Sequence, residues 1–178
     1  MTDEEIVRQV QSGNKEAFGQ LIERYETKML RYAGRFLFDS DGAKDAVQEV
    51  FIKVYINIAS FDISKKFSPW LYRIAHNCFI NEIKKNKREP LSFVDFDVFL
   101  PYLKSADNPD QNLLDEELKQ SLDSYINKIN VRYKEILILY YFEDLSYKEI
   151  SDVLHIPVSS VGIRLSRAKN AIRKLMKS

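Results

Sequence analysis

The sequence has one cysteine, Cys78, and two histidines, His76 and His155, among its 178 residues. A disulfide framework is therefore excluded, and a structural zinc site lacks its usual ligands. A reducing cytoplasm suits such a chain. Glycine and proline are scarce, with five of each, so collagen-like and low-complexity architectures are excluded as well. No apolar run approaches the ~18 residues needed to span a bilayer. The opening residues, Met1-Thr2-Asp3-Glu4-Glu5, are acidic where a signal peptide is basic. Nor is there a glycine-rich phosphate loop, a metal-ligand cluster or a nucleophile–base pair, so the expectation is a protein that is not an enzyme, with no cofactor, metal or small-molecule substrate.

What the sequence has is unevenly distributed charge. The net charge is only +1, but residues 61–88 carry seven basic and two acidic side chains, and residues 145–178 again seven and two. The stretch between them is acidic, at −7. Two basic blocks in a near-neutral chain point to two separate contacts with a polyanion.

Helical periodicity runs through both blocks. Phe18, Leu21, Ile22, Tyr25, Met29, Ala33 and Phe36 recur in steps of three and four, with Asn14 placed to cap. Val47, Val50, Phe51, Val54 and Ile58 mark a second helix, over Ala43 to Ile58. A third is predicted to start at Pro69, with Ser68 as its cap and Leu71, Ile74, Ala75, Cys78 and Phe79 inward. Cys78 thus reads as a core residue. From Glu89 to Asn112 the pattern fails. Pro90, Pro101 and Pro109 punctuate a linker that is acidic yet holds Phe93, Phe96, Phe99 and Tyr102, as if it docks on its own domains or on a partner. Beyond it, Leu114, Leu118, Leu122 and Ile126 mark one helix and Tyr133, Ile136, Leu137 and Tyr140 the next. The expected fold is all-α: an N-terminal helical domain over residues 1–88, a flexible linker over 89–112, and a C-terminal domain over 113–178.

The most specific local signal lies near the C-terminus. Ser146 and Glu149 have capping-box spacing, His155-Ile156-Pro157 breaks the short helix they open, and a longer helix restarts at Ser159 or Ser160. Its apolar stripe is Val161, Leu165, Ala168, Ile172 and Leu175; Ser160, Arg164, Arg167 and Lys174 fall opposite. That is a helix-turn-helix, whose second helix fits the major groove of duplex DNA. Ile163 is expected to face outward, toward a thymine methyl. Gly162 costs ~1 kcal/mol relative to alanine in a helix, and allows close approach to the DNA backbone if it faces it. Ser159 and Ser160 serve equally well as helix caps.

Two further strips stand out. On the helix from Ala43, a strip of Asp45, Gln48, Glu49, Ile52 and Ile56 lies away from the apolar stripe and mixes acids with isoleucines, as a protein interface does. On the helix from Pro69, Arg73, Asn77, Asn81, Lys84 and Arg88 share one side. Before it, Phe61, Lys65, Lys66, Phe67 and Trp70 interleave aromatics with lysines, a pattern suited to single-stranded DNA, whose bases stack on rings at ~1–3 kcal/mol each. The alternative for Phe61, Phe67 and Trp70 is burial in the core, which for Trp70 is the favoured reading.

Taken together these residues resemble a bacterial RNA polymerase sigma factor of the extracytoplasmic-function (ECF) group. Asp45-Ala46-Val47-Gln48-Glu49-Val50-Phe51 is similar to that family's core-polymerase-binding motif, Pro69 through Asn77 to its −10-reading helix, and Ser146 through Lys169 to its −35-reading helix-turn-helix. The resemblance implies that Asp45, Gln48, Glu49 and Ile52 bind the β′ clamp coiled coil of core RNA polymerase, with the β flap as a further contact. It implies that Phe61, Lys65, Lys66, Phe67, Arg73, Asn77, Asn81 and Lys84 meet the non-template −10 strand, and that Ser159, Ser160, Ile163, Arg164, Arg167 and Lys174 meet the −35 duplex. The linker would thread the RNA exit channel. An anti-sigma partner, often membrane-anchored in that family, is a further implication. The chain departs from the pattern at Asn81, where the family often has Asp, and at Gly162 and Ile163, which replace a basic and a small polar residue respectively. The competing expectation is a conventional helix-turn-helix regulator that binds duplex DNA without joining a polymerase.

Overall fold

The structure is a computed structural model that describes residues 1–37, 40–86, 122 and 124–177. Among these there are seven α-helices and no strand. The described residues fall into two compact units, one holding residues 1–86 and the other most of residues 122–177. The expected linker, and the leucines Leu114 and Leu118 after it, lie outside the described residues.

In the first unit, α1 (Asp3–Gln11) opens on a capping box: the Thr2 hydroxyl accepts from the Glu5 amide, and the Glu5 carboxylate accepts from the Thr2 amide. Asp3, Glu4 and Glu5 sit at its positive end, which they complement. It buries Ile6, Val7 and Val10. Periodicity assigned no helix to these residues because the stripe spans only two turns. The signal was Thr2-x-x-Glu5. The helix ends at Gly13, whose φ of +105° reverses the chain at little steric cost.

A 3₁₀ turn, Lys15–Ala17, leads into α2 (Phe18–Phe36). Asn14 precedes the turn but makes no side-chain cap, so the capping role read for it is corrected. Each residue of the predicted α2 stripe except the half-buried Ile22 is buried. α3 (Ser40–Asn57) starts three residues earlier than the spacing predicts and buries Val47, Val50, Phe51 and Val54. α4 (Phe67–Asn86) also starts early, by two residues, so that Pro69 falls within its first turn, where a missing amide costs nothing. Its cap is not Ser68. The Phe67 amide donates to Glu4 Oε1 of α1 at 2.9 Å, so one helix supplies the acceptor for another.

The core of this unit is aromatic. Tyr32 packs on Phe36, Tyr72 and Phe79, with ring centroids 5.8, 5.7 and 5.1 Å away. Tyr25 packs edge-on against Phe67. The Tyr25 hydroxyl donates to Asp3, and burial together with that bond raises its pKa far above the usual phenol value. Cys78 is buried as expected, and burial raises its thiol pKa, which keeps it protonated.

In the second unit, α5 (Val131–Leu137) takes its N-cap from the Asn130 side chain and runs on into a π-helical turn, Ile138–Phe142. Ile136, Leu137, Ile138 and Leu139 are fully buried. α6 (Tyr147–Leu154) carries the predicted capping box, Ser146 with Glu149. It closes on His155 in the left-handed conformation (φ 54°). The Ser151 hydroxyl donates to the Ile156 carbonyl at 2.6 Å across the turn. α7 (Val158–Met176) restarts directly after Pro157 and buries Val161, Leu165, Ala168 and Ile172. Ser159 and Ser160 therefore lie in its first turn rather than capping it.

Phe79 is fully buried between Tyr32 and Phe36. Phe79→Ala is expected to destabilise the protein by about 3–5 kcal/mol, measured by urea denaturation of the full chain.

Candidate nucleic-acid and protein interfaces

Three surfaces follow from how these helices bury their stripes. On α3, burial of Val47, Val50 and Val54 turns Asp45, Gln48, Ile52 and Ile56 outward; Ile52 is 59% and Ile56 69% exposed. Tyr55 joins them as an exposed apolar residue that the sequence reading did not single out. Glu49 pairs with Lys53 one turn on, at 2.7 Å. That bond holds the Glu49 carboxyl below its usual range. Both side chains are well exposed, so the pair contributes little to stability. The surface thus offers acid and apolar groups side by side.

On α4, the aromatic core holds Leu71, Ala75, Cys78, Phe79 and Ile83 inward. Arg73, Asn77, Asn81 and Lys84 are all exposed. These four side chains form one outer face of amides and cations; Arg88, the fifth residue of the expected strip, lies outside the described residues.

The segment leading into α4 is only partly as predicted. Asp62, Ser64, Lys65 and Lys66 are exposed, but Phe61 and Phe67 are buried, at 6% and 1% exposure. The two rings meet edge to face at 5.8 Å and both pack on Trp70, at 4.9 and 5.7 Å. Phe61 and Phe67 are thus corrected from stacking platforms to pins that close a loop between them. They are committed to each other and unavailable to bases. The loop itself is ordered by Asp62, whose Oδ1 accepts from the amide and the hydroxyl of Ser64 at 3.0 and 2.7 Å. Those bonds lower the Asp62 pKa. The Lys65 amide donates to the Asp62 carbonyl at 3.0 Å, completing a turn.

On α7, the first turn exposes Val158 and Ser159, and Lys174 is exposed near its end. Ser160, Ile163 and Arg167 are half-buried. Arg164 is buried, at 9% exposure, which corrects its place on the outer face. It lies three residues after Val161 and four before Ala168, at the margin of the apolar stripe. Lys169 is buried too, its ammonium 5.9 and 5.6 Å from the ring centres of Tyr140 and Tyr141. The second basic block therefore presents less charge than its count of cations suggests. Gly162 faces Tyr147 rather than a void: a Cβ there would sit 3.5 Å from Tyr147 Cε2.

Among the described residues there is no group of His, Cys, Asp or Glu able to hold a metal ion. No helix among them is long and apolar enough to cross a membrane.

Two stretches of the chain match known family models. Residues 21–89 match the model of sigma-70 region 2, and residues 119–172 match sigma-70 region 4. The ECF RNA polymerase sigma factor SigW of Bacillus subtilis is 34% identical over 179 residues, an alignment covering 96% of this chain and 95% of that one. The ECF RNA polymerase sigma-E factor of Escherichia coli K12 is 35% identical over 178 residues, covering 97% and 93%. In fold, the chain resembles CnrH solved with the cytosolic domain of CnrY (TM-score 0.73, 24% identity, 98% and 97% covered). It also resembles the sigma factor RpoE solved with the anti-sigma factor NepR from Bartonella quintana (TM-score 0.66, 24% identity, 90% and 96% covered).

The 3.5 Å approach to Tyr147 is an ordinary contact distance, so a methyl group fits at Gly162. Gly162→Ala is expected to stabilise the protein by up to ~1 kcal/mol, read as a raised melting temperature. A fall in duplex-DNA affinity in the same variant would place Gly162 against the DNA backbone.

Proposed function

Because this chain belongs to the sigma-70 family, in its ECF group, and directs promoter-specific transcription initiation, we propose that its three outer surfaces divide that task among themselves. The outer strip of α3 docks on core RNA polymerase through the β′ clamp coiled coil, with Asp45, Gln48 and Glu49 supplying the polar contacts and Ile52 the apolar one. The observation that carries this reading is the exposure of two isoleucines beside carboxylates on a helix whose opposite face is fully packed. Such a strip gains by burial against a basic, partly apolar partner. The β flap is the second polymerase contact, through the C-terminal unit.

The Asp62–Lys66 loop and the outer face of α4 take the non-template −10 strand. Lys65, Lys66, Arg73 and Lys84 hold phosphates, while Asn77 and Asn81 meet base edges as the duplex opens. A base is read only once it has left the stack, which couples recognition to melting. The first turn of α7 and its outer face, with Ser159, Ser160, Ile163, Arg167 and Lys174, take the −35 duplex. Arg164, held in the packing between α7 and its surroundings, keeps that face in place. No catalytic group is assigned; the chemistry of RNA synthesis stays with the polymerase. The chain works in the cytoplasm, with the polymerase and DNA, and an anti-sigma partner that covers these same surfaces is the natural means of control.

Reversing charge on α3 tests the reading. With sigma-free core polymerase, the parent protein is expected to create defined RNA start sites that share two motifs at fixed spacing. The double variant Asp45→Lys, Glu49→Lys is expected to lose about a hundredfold in core affinity, since like charges set against each other at an interface cost several kcal/mol. Its folding stability is expected to stay within about 0.5 kcal/mol of the parent's. Unchanged core affinity would remove α3 from the polymerase interface.

A further inference from the structure

The loop between Phe61 and Phe67 is held from outside by a helix that precedes the region-2 match. Gln11, the last residue of α1, donates through Nε2 to two backbone carbonyls, Ile58 at 2.8 Å and Phe61 at 2.9 Å. Glu4, in the first turn of the same helix, accepts from the Phe67 amide at 2.9 Å. One bond set lies just before the loop and the other just after it. The seven-residue spacing of Glu4 and Gln11 is two helical turns, so both project from one side of α1, about 10 Å apart along its axis. The packing of α1 is done by other residues, Ile6, Val7 and Val10. Glu4 and Gln11 add direction: they fix where the loop begins and where it ends.

We propose that Glu4 and Gln11 are positioning residues for promoter recognition, holding the Asp62–Lys66 loop in its DNA-binding shape before DNA arrives. This rests on the reading that the loop meets the −10 strand. A loop ordered in advance loses less conformational freedom on binding, so more of its contact energy appears as affinity. Both flanks are fixed by α1, and the interior by Asp62 and Ser64.

The test uses the full chain with core polymerase. The probe is fork-junction DNA whose single-stranded −10 segment comes from a promoter at which the parent holoenzyme initiates, together with versions substituted at each −10 base. Gln11→Glu replaces a donor by an acceptor that faces two carbonyl oxygens. It is expected to lower fork affinity and open-complex yield about tenfold, with less discrimination between −10 bases and with core affinity unchanged. Glu4→Ala is expected to do the same, and Glu4→Gln, which keeps an acceptor oxygen, to restore most of the binding. The double variant Lys65→Ala, Lys66→Ala tests the loop itself. If the lysine variant binds the fork weakly and Gln11→Glu binds like the parent, the positioning role is overturned and the loop reading stands. If both bind like the parent, the loop reading falls with it. Should Gln11→Glu also lose core affinity, the Glu4 pair decides: Glu4→Gln as weak as Glu4→Ala overturns the proposal.

Discussion

The aromatic seam between α2 and α4 sets the rotation of α4 about its own axis, and most of what the first unit presents follows from that. Tyr32 is the hub, in contact with Phe36 on its own helix and with Tyr72 and Phe79 on α4. Aromatic pairs of this kind add ~0.5–1.5 kcal/mol each beyond the area they bury, and they are geometrically selective. Rotating α4 by one residue so that Arg73 took the place of Tyr72 would put a cation in that seam, where an unpaired charge costs several kcal/mol. The outer strip Arg73–Asn77–Asn81–Lys84 is therefore the complement of the seam. At its far end the seam continues through Tyr25, Phe67, Phe61 and Trp70, so the same packing that orients the helix also closes the loop before it.

The second unit solves a different problem: carrying cations on a helix that is mostly buried. Lys169 is placed over two tyrosine rings, and Lys134 is buried with its ammonium donating to Asn127 at 2.7 Å. Burying a cation is costly unless such partners are supplied. These side chains tie α5 and α7 to their surroundings by directional contacts where plain apolar packing would allow several arrangements. The helix-turn-helix is fixed in a similar way, by the Ser146–Glu149 box at the start of α6 and the Ser151 hydroxyl across the turn that follows it.

The helices, their buried stripes and the outer strips of α3 and α4 were readable from spacing because each is long enough to repeat its period. Asp45, Gln48 and Ile52 on α3, and Arg73, Asn77, Asn81 and Lys84 on α4, recur at steps of three and four and are exposed together because the opposite face of each helix is buried. Phe61 and Phe67 were misread because no period covers them. An aromatic beside lysines is ambiguous until the chain closes and shows whether another ring waits for it. Arg164 was misread for a narrower reason. Its position on the helix wheel is marginal, and its charge was given more weight than its angle. α1 was missed because two turns are too short for periodicity, although Thr2 and Glu5 announced it. Glu4 and Gln11 were beyond sequence reasoning altogether, since their partners are backbone groups more than forty residues away.

That last point bears on why such residues are polar. An apolar contact from α1 would stabilise the first unit as well, but it is non-directional and would fix the loop ends only to within the tolerance of packing. A side-chain amide spanning two carbonyls, and a carboxylate on one amide, fix distance and angle together. They also bond the Phe61 carbonyl and the Phe67 amide, the backbone groups that flank the loop. A loop proposed to meet a single strand in one register needs that accuracy more than it needs stability. The net contribution of each bond, about 1 kcal/mol, is small against the stability of the domain but comparable to the ~1–3 kcal/mol that separates one base from another.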